Sequence, residues 1–194
     1  MSVINGPSGW LLLLVQLPAS PSSFRVRLWR RLRAAGAAKV LNGAWMLPRS
    51  AAHAELFAQL LDTARGQGGT GFVLTVSASP GADEAIIQRF RADRGREYDE
   101  FEERCGAFLA EVGKEAGAGK FTFAELEESE QDLAKLARWH RKIRSRDFFP
   151  DQRWPRSAEM MERCRRTLHD FAHAVYEAEG VHAPAEKADG AGAG

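Results

Sequence analysis

Cysteine is scarce in this chain: Cys105 and Cys164 are its two thiols among 194 residues, and they lie far apart. Two widely spaced cysteines build neither a disulfide framework nor a four-ligand zinc site, and they fit a reducing compartment. Long hydrophobic runs are missing too. The longest, Trp10 to Leu17, falls well short of the roughly twenty residues that a bilayer span needs. Its start carries no charge and Pro18 stops it, so it reads as a buried strand rather than an export signal. Neither sign of charge is in excess: 27 Lys and Arg stand against 26 Asp and Glu, a formal net charge of +1. No global field then draws the chain to nucleic acid or membrane, and any polyanion contact must come from a local patch. There is no phosphate-cradling glycine loop, nucleophile elbow or paired-acid motif. These absences point to a non-enzymatic cytoplasmic protein with no implied cofactor.

What remains is an ordinary globular composition, 44% hydrophobic and 27% charged. The run from Trp10 suits a central strand covered on both faces. Ser22 or Ser23 can cap a helix to about Ala35, closed by Gly36, with Phe24, Leu28 and Leu32 on its apolar face. Asn42-Gly43 lies between two short apolar stretches and signals a hairpin, because both residues tolerate positive φ. Ser50 opens a second helix with Leu56, Phe57, Leu60 and Leu61 inward, and Phe72–Val76 is the next strand. The order β-α-β-β-α-β predicts an α+β fold with a ferredoxin-like domain over 1–80. Beyond Pro80 the apolar residues keep a 3-4 spacing in about three helical stretches: Tyr98 to Val112, Leu126 to Ile143, and Met161 to Val175. An all-helical extension over 81–180 follows, with a short extended segment expected at Phe121-Thr122-Phe123 and a disordered tail at 181–194.

Several segments together resemble the N-terminal domain of ChrB-type chromate-resistance proteins. They are WLLLLVQLP, AAGAAKVLNGAWMLP, REYDEFEERCGAFLAEV, KFTFAELEESEQDLAKLARWHRKI and SRDFFPDQRWP, running from Trp10 to about Tyr176. The resemblance implies a regulator of operons that encode a chromate efflux transporter, with promoter DNA and chromate as partners. The first 80 or so residues also resemble the ferredoxin-like domain of PaaX-type repressors and the nuclease-like subunit of CRISPR spacer acquisition. In that nuclease a metal-binding acid ends the first strand. Here the strand ends in Gln16-Leu17-Pro18, which argues against metal-assisted hydrolysis. Full-length ChrB proteins continue into a C-terminal domain, whereas this sequence runs into a Gly/Ala tail. A homodimer, or a separate partner resembling that domain, is therefore the rival expectation.

Four constellations are candidates for chemistry. Arg25, Arg27, Arg30, Arg31 and Arg33 form the densest positive patch, and guanidinium forks suit a phosphate backbone. The bland alternative is a solvated helix face, since no helix-turn-helix accompanies the patch. Arg138, Arg141, Lys142 and Arg144, with Arg146 beyond them, are an oxyanion candidate. The preferred reading is simpler: acids early and bases late in one helix are what its dipole favours, with His140 packed on the apolar seam. His169 and His173 share a helix face at i, i+4, as metal ligands do, but no third ligand is evident and two surface histidines are the preferred reading. Cys105 and Cys164 each fall on an apolar seam, where a thiol is inert unless the two come together. Asp147, Phe148 and Phe149 close a helix, the aromatics being expected to seal the end of the helical bundle.

Overall fold

The structure is a computed structural model that describes residues 9–18 and 22–181; the expected tail beyond Val181 lies outside them. It is mixed α/β, with a four-stranded antiparallel sheet and five helices among the described residues. Two helices lie between strands and three follow the last strand. The chain divides into two compact units. One takes in the residues up to Glu97 together with Lys142–Gln152; the other takes in Tyr98–Arg141 and the residues from Arg153 on. No helix among the described residues is long and apolar enough to cross a membrane.

The first unit is built on β1 (Trp10–Gln16), β2 (Ala38–Leu41), β3 (Ala44–Pro48) and β4 (Thr70–Val76) in the order β2-β3-β1-β4. Strand β1 is central, pairing antiparallel with β3 and with β4. Side chains alternate across a strand, so its apolar run feeds two faces. Leu11 and Leu13 point to α1 (Ser22–Ala34) and α2 (Ala51–Arg65), where they meet Leu28, Leu32, Phe57 and Leu60. Trp10 points the other way, into a cluster with Met46, Ile87 and Phe90, the last two from α3 (Pro80–Gly117). Its indole stacks on Phe90 at 5.7 Å and its Nε1–H donates to Asp83 Oδ1 at 2.6 Å. Full burial of one such side chain stabilises by about 1.5–3 kcal/mol.

Local punctuation follows the chemistry. Gly43 takes φ +77° in the Asn42-Gly43 turn, and a Cβ there would lie 2.5 Å from the Val15 carbonyl oxygen. Ser50 caps α2 by accepting from His53 N–H at 3.1 Å. Phe148 and Phe149 depart from expectation. They do not seal a helical bundle but belong to the sheet unit, where Phe149 lies 5.8 Å from Trp10 and Phe148 lies 5.2 Å from His53. Pro150 and the end of α4 free this stretch to turn, and the apolar cluster of Trp10, Met46, Ile87 and Phe90 takes up both rings.

The second unit is helical, drawn from the later part of α3, most of α4 (Phe123–Ser145) and α5 (Arg153–Ala178). The expected seam is buried at Phe101, Cys105, Phe108 and Val112 on α3, at Leu126 and Leu136 on α4, and at Met161, Cys164, Leu168, Phe171 and Val175 on α5, while Leu133 on α4 is half-buried. Phe121-Thr122-Phe123 is not an extended segment. Thr122 is the entry to α4, its carbonyl accepting from Leu126 N–H at 3.1 Å, and local capping outcompetes a strand that has no partner. Phe121 packs on Phe171 and Phe123 on Tyr176.

Candidate anion and nucleic-acid interface

Helix α1 buries Phe24, Leu28 and Leu32 and leaves all five arginines exposed. It contains no acid, so no i, i+4 partner neutralises them. Arg25 donates to the Pro18 carbonyl at 3.0 Å, and Arg33 lies over the Trp29 ring at 5.0 Å. The side chains of Arg27, Arg30 and Arg31 make no hydrogen bond or ion pair among the described residues. Val26 and Trp29 are each 44% exposed on the same helix. The outer surface of α1 is therefore cationic with an aromatic among the charges, a combination that holds phosphate and can stack on a base.

The second predicted patch, Arg138, Arg141, Lys142 and Arg144, lies on α4 and runs across the boundary between the units. Arg138 and Arg141 fall in the helical unit, whereas Lys142 and Arg144 fall in the sheet unit. Lys142 and Arg144 occupy the last turn of α4, and Glu125 occupies the first. Arg144 Nη1 donates to the Asp147 carbonyl at 3.2 Å, so it serves the helix end. Arg146 turns elsewhere: its Nη2 lies 3.1 Å from Glu97 Oε2.

That ion pair belongs to a constellation with no motif behind it. A cleft of about 110 Å³ opens in the sheet unit between α1, the β2–β3 hairpin and α3. Arg33, Lys39, Arg89 and Arg94 bring four cations to it, and Asp93 brings one carboxylate. Trp29 and Trp45 supply aromatic wall. Arg94 is 5% exposed, and its Nη1 donates to Glu97 Oε2 at 2.6 Å, the same oxygen that Arg146 approaches. Burial pulls the Arg94 pKa below its ordinary value; Glu97 opposes this, and Arg146 adds to it. The signal that sequence reading passed over is positional. Arg94 sits four residues after Phe90 and four before Tyr98, on the stripe that otherwise carries apolar side chains.

The remaining candidates lie in the helical unit. His140 is buried between Phe101 at 4.7 Å and Trp154 at 4.9 Å, with Nε2 3.0 Å from Ser157 Oγ. Burial, with Arg165 adding to it, lowers its pKa. It packs and does not face a ligand. His169 and His173 place their Nε2 atoms 3.1 Å apart on an exposed face, and no third His, Cys, Asp or Glu completes a metal-holding group among the described residues. Cys105 and Cys164 do meet: both are buried free thiols, and Cys164 Sγ lies 3.8 Å from the Cys105 carbonyl. The hydrogen bond with Cys164, and then burial, push the Cys105 thiol up, away from a reactive thiolate. This unit also holds a groove of about 700 Å³ along α3 and α4. Six carboxylates edge it, Glu100, Glu111, Glu115, Glu125, Glu128 and Asp132, against two cations, Arg104 and Lys135. Phe108, Val112, Leu136 and Trp139 form its apolar part.

Against known proteins, the family model described as Protein ChrB, N-terminal, matches residues 25–182. Protein ChrB of Cupriavidus metallidurans is 32% identical over 180 residues, which cover 90% of this chain and 50% of that protein. The chain thus spans about half the length of the curated relative it matches. Among solved structures, the uncharacterized protein Rv0674 from Mycobacterium tuberculosis is 19% identical, with a TM-score of 0.41 over 89% of this chain and 62% of that one.

Proposed function

Because the chain belongs to the ChrB N-terminal family, we propose that it is a non-enzymatic regulatory module of chromate resistance that binds promoter DNA through the exposed arginine face of α1. The observation that carries this reading is a helix with five exposed arginines and no acid, in a chain whose net charge is +1. Such a face gives affinity by neutralising phosphates, and sequence preference has to come from elsewhere in the full-length protein. The non-enzymatic part is supported by Gln16 and Leu17 at the end of β1, where a metal-dependent nuclease of similar fold needs an acid. The strand order β2-β3-β1-β4, with α1 and α2 between strands, supports reading the sheet and these helices as ferredoxin-like. A cytoplasmic setting goes with this reading.

Binding of a labelled operon-promoter fragment, measured at physiological salt with and without chromate, tests the proposal. Arg27→Ala/Arg30→Ala should weaken binding uniformly across sequences and flatten the salt slope by about 0.9 for each phosphate left without its arginine. No binding by the native chain, or identical binding by the variant, removes the DNA part.

The acidic groove favours a second reading, a protein-interaction module that receives a basic amphipathic helix from a partner. Charge complementarity argues for that occupant, and the apolar floor supplies burial. Co-purification with a separately produced ChrB C-terminal domain, abolished by Glu128→Lys/Asp132→Lys, tests it; light scattering separates that outcome from a homodimer.

A further inference from the structure

A buried and a half-buried guanidinium group in the sheet unit share one carboxylate. Arg94 and Arg146 both reach Glu97 Oε2, and the Nε of each is buried without a hydrogen-bond partner. Asp93, the carboxylate on the cleft, is already engaged by Arg89 and Arg96. Guanidinium stays charged at neutral pH, so burial cannot be relieved by losing a proton. Local charge is therefore left unbalanced around Arg94, at a cleft that two further cations, Arg33 and Lys39, also line.

We propose that this cleft binds a small tetrahedral oxyanion of the sulfate or chromate class, with Arg94 at its buried end and Arg33, Lys39 and Arg89 at its mouth. The charge count favours a dianion: four cations line the cleft, Asp93 lies among them and Glu97 pairs with Arg94, which leaves two positive charges. Size points the same way. A cleft of about 110 Å³ has room for a small anion with its oxygens around one centre. Arginine donates in parallel pairs to such oxygens. The tryptophan walls lower the dielectric response around them, and Arg33 is held in place over Trp29. A duplex phosphate can reach the exposed arginines of α1, whereas Arg94 is 5% exposed. The site shares Arg33 with the arginine face of the DNA reading and goes beyond it with Lys39, Arg89 and Arg94. It rests on that reading only for which member of the oxyanion class matters in the cell.

Isothermal titration of the full chain with sodium sulfate and with chromate, at ionic strength fixed by sodium chloride, tests the proposal. Saturable binding of both dianions is expected, with Kd at least tenfold weaker in Arg33→Gln/Lys39→Gln, which alters two exposed side chains. Arg94→Met should abolish it. The Arg27→Ala/Arg30→Ala variant should keep anion binding while losing DNA. Absence of saturable binding, or an unchanged Kd in Arg33→Gln/Lys39→Gln, overturns the site. If a DNA duplex loses affinity in that variant while neither free dianion binds the native chain, the ligand is backbone phosphate and the free-anion proposal falls. Anion binding without DNA binding would defeat the earlier reading and leave this one standing.

Discussion

Replacing Glu97 with Gln removes the carboxylate that Arg94 and Arg146 share and leaves the side chain's shape almost unchanged. Each ion pair, at an effective dielectric of about 20, is worth roughly 4 kcal/mol of Coulomb attraction near 4 Å. Both pairs go, for a gross cost of about 8 kcal/mol. Gln escapes the desolvation penalty of a buried carboxylate, which offsets several kcal/mol of that. The net expectation is a destabilisation of about 3–5 kcal/mol, the range seen when one partner of a buried pair is removed. For a chain of 194 residues that corresponds to a melting temperature lower by about 6–20 °C. The assay is urea and thermal denaturation followed by circular dichroism. Glu111→Gln serves as the control: its pair with Lys114 is exposed on both sides and should be worth no more than about 1 kcal/mol. If Glu97→Gln and Glu111→Gln lie within 1 kcal/mol of one another, the buried charge cluster does not carry the energy argued for it.

Three further outcomes are expected. Gly36→Ala places a Cβ 2.6 Å from Arg146 Cβ at φ +77°, and should destabilise by at least about 1–3 kcal/mol from backbone strain alone. Gly113→Ala, in open space within α3, should instead stabilise by about 0.5–1 kcal/mol; the same urea titrations read both. His140 has a folded pKa below its unfolded value, so its contribution is complete above the unfolded pKa of about 6.5. It shrinks as pH falls from there through the folded pKa, and His140→Phe should flatten the stability-against-pH curve on that acid side. Cys105 and Cys164 should not react with a thiol reagent in the native chain and should both react in denaturant; rapid native labelling would contradict their burial.

Much of the architecture was legible because it is written in local chemistry. Asn42-Gly43, Ser50 and Gly36 mark boundaries through their own backbones, and the 3-4 spacing from Phe101 to Val112 or Met161 to Val175 marks a buried stripe without reference to any other element. Phe121 to Phe123 misled because two aromatics around a threonine look strand-like, and only the Thr122 carbonyl's bond to Leu126 N–H decides otherwise. Phe148 and Phe149 misled for a different reason: their partners Trp10, His53 and Phe90 lie 58 or more residues away. The arginine face of α1 needed a single helical wheel. The cleft needed α1, the β2–β3 hairpin and α3 to converge, and its central residue breaks the apolar stripe rather than forming a pattern of its own.

Each unit is discontinuous along the chain, since Lys142–Gln152 returns to the sheet unit after most of the helical unit has been made. A ribosome that has released residues 9–97 has produced every strand and yet none of Arg146, Phe148 and Phe149. At that moment Trp10 and Phe90 have each other but lack Phe149, and Glu97 lacks one of its two cations. The nascent sheet has to wait for about fifty more residues of synthesis, roughly 3–10 s at 5–20 residues per second. A protease cut within α4 would separate the sheet from its own last segment, so the boundary between the two units is one that neither cleavage nor simple truncation can follow.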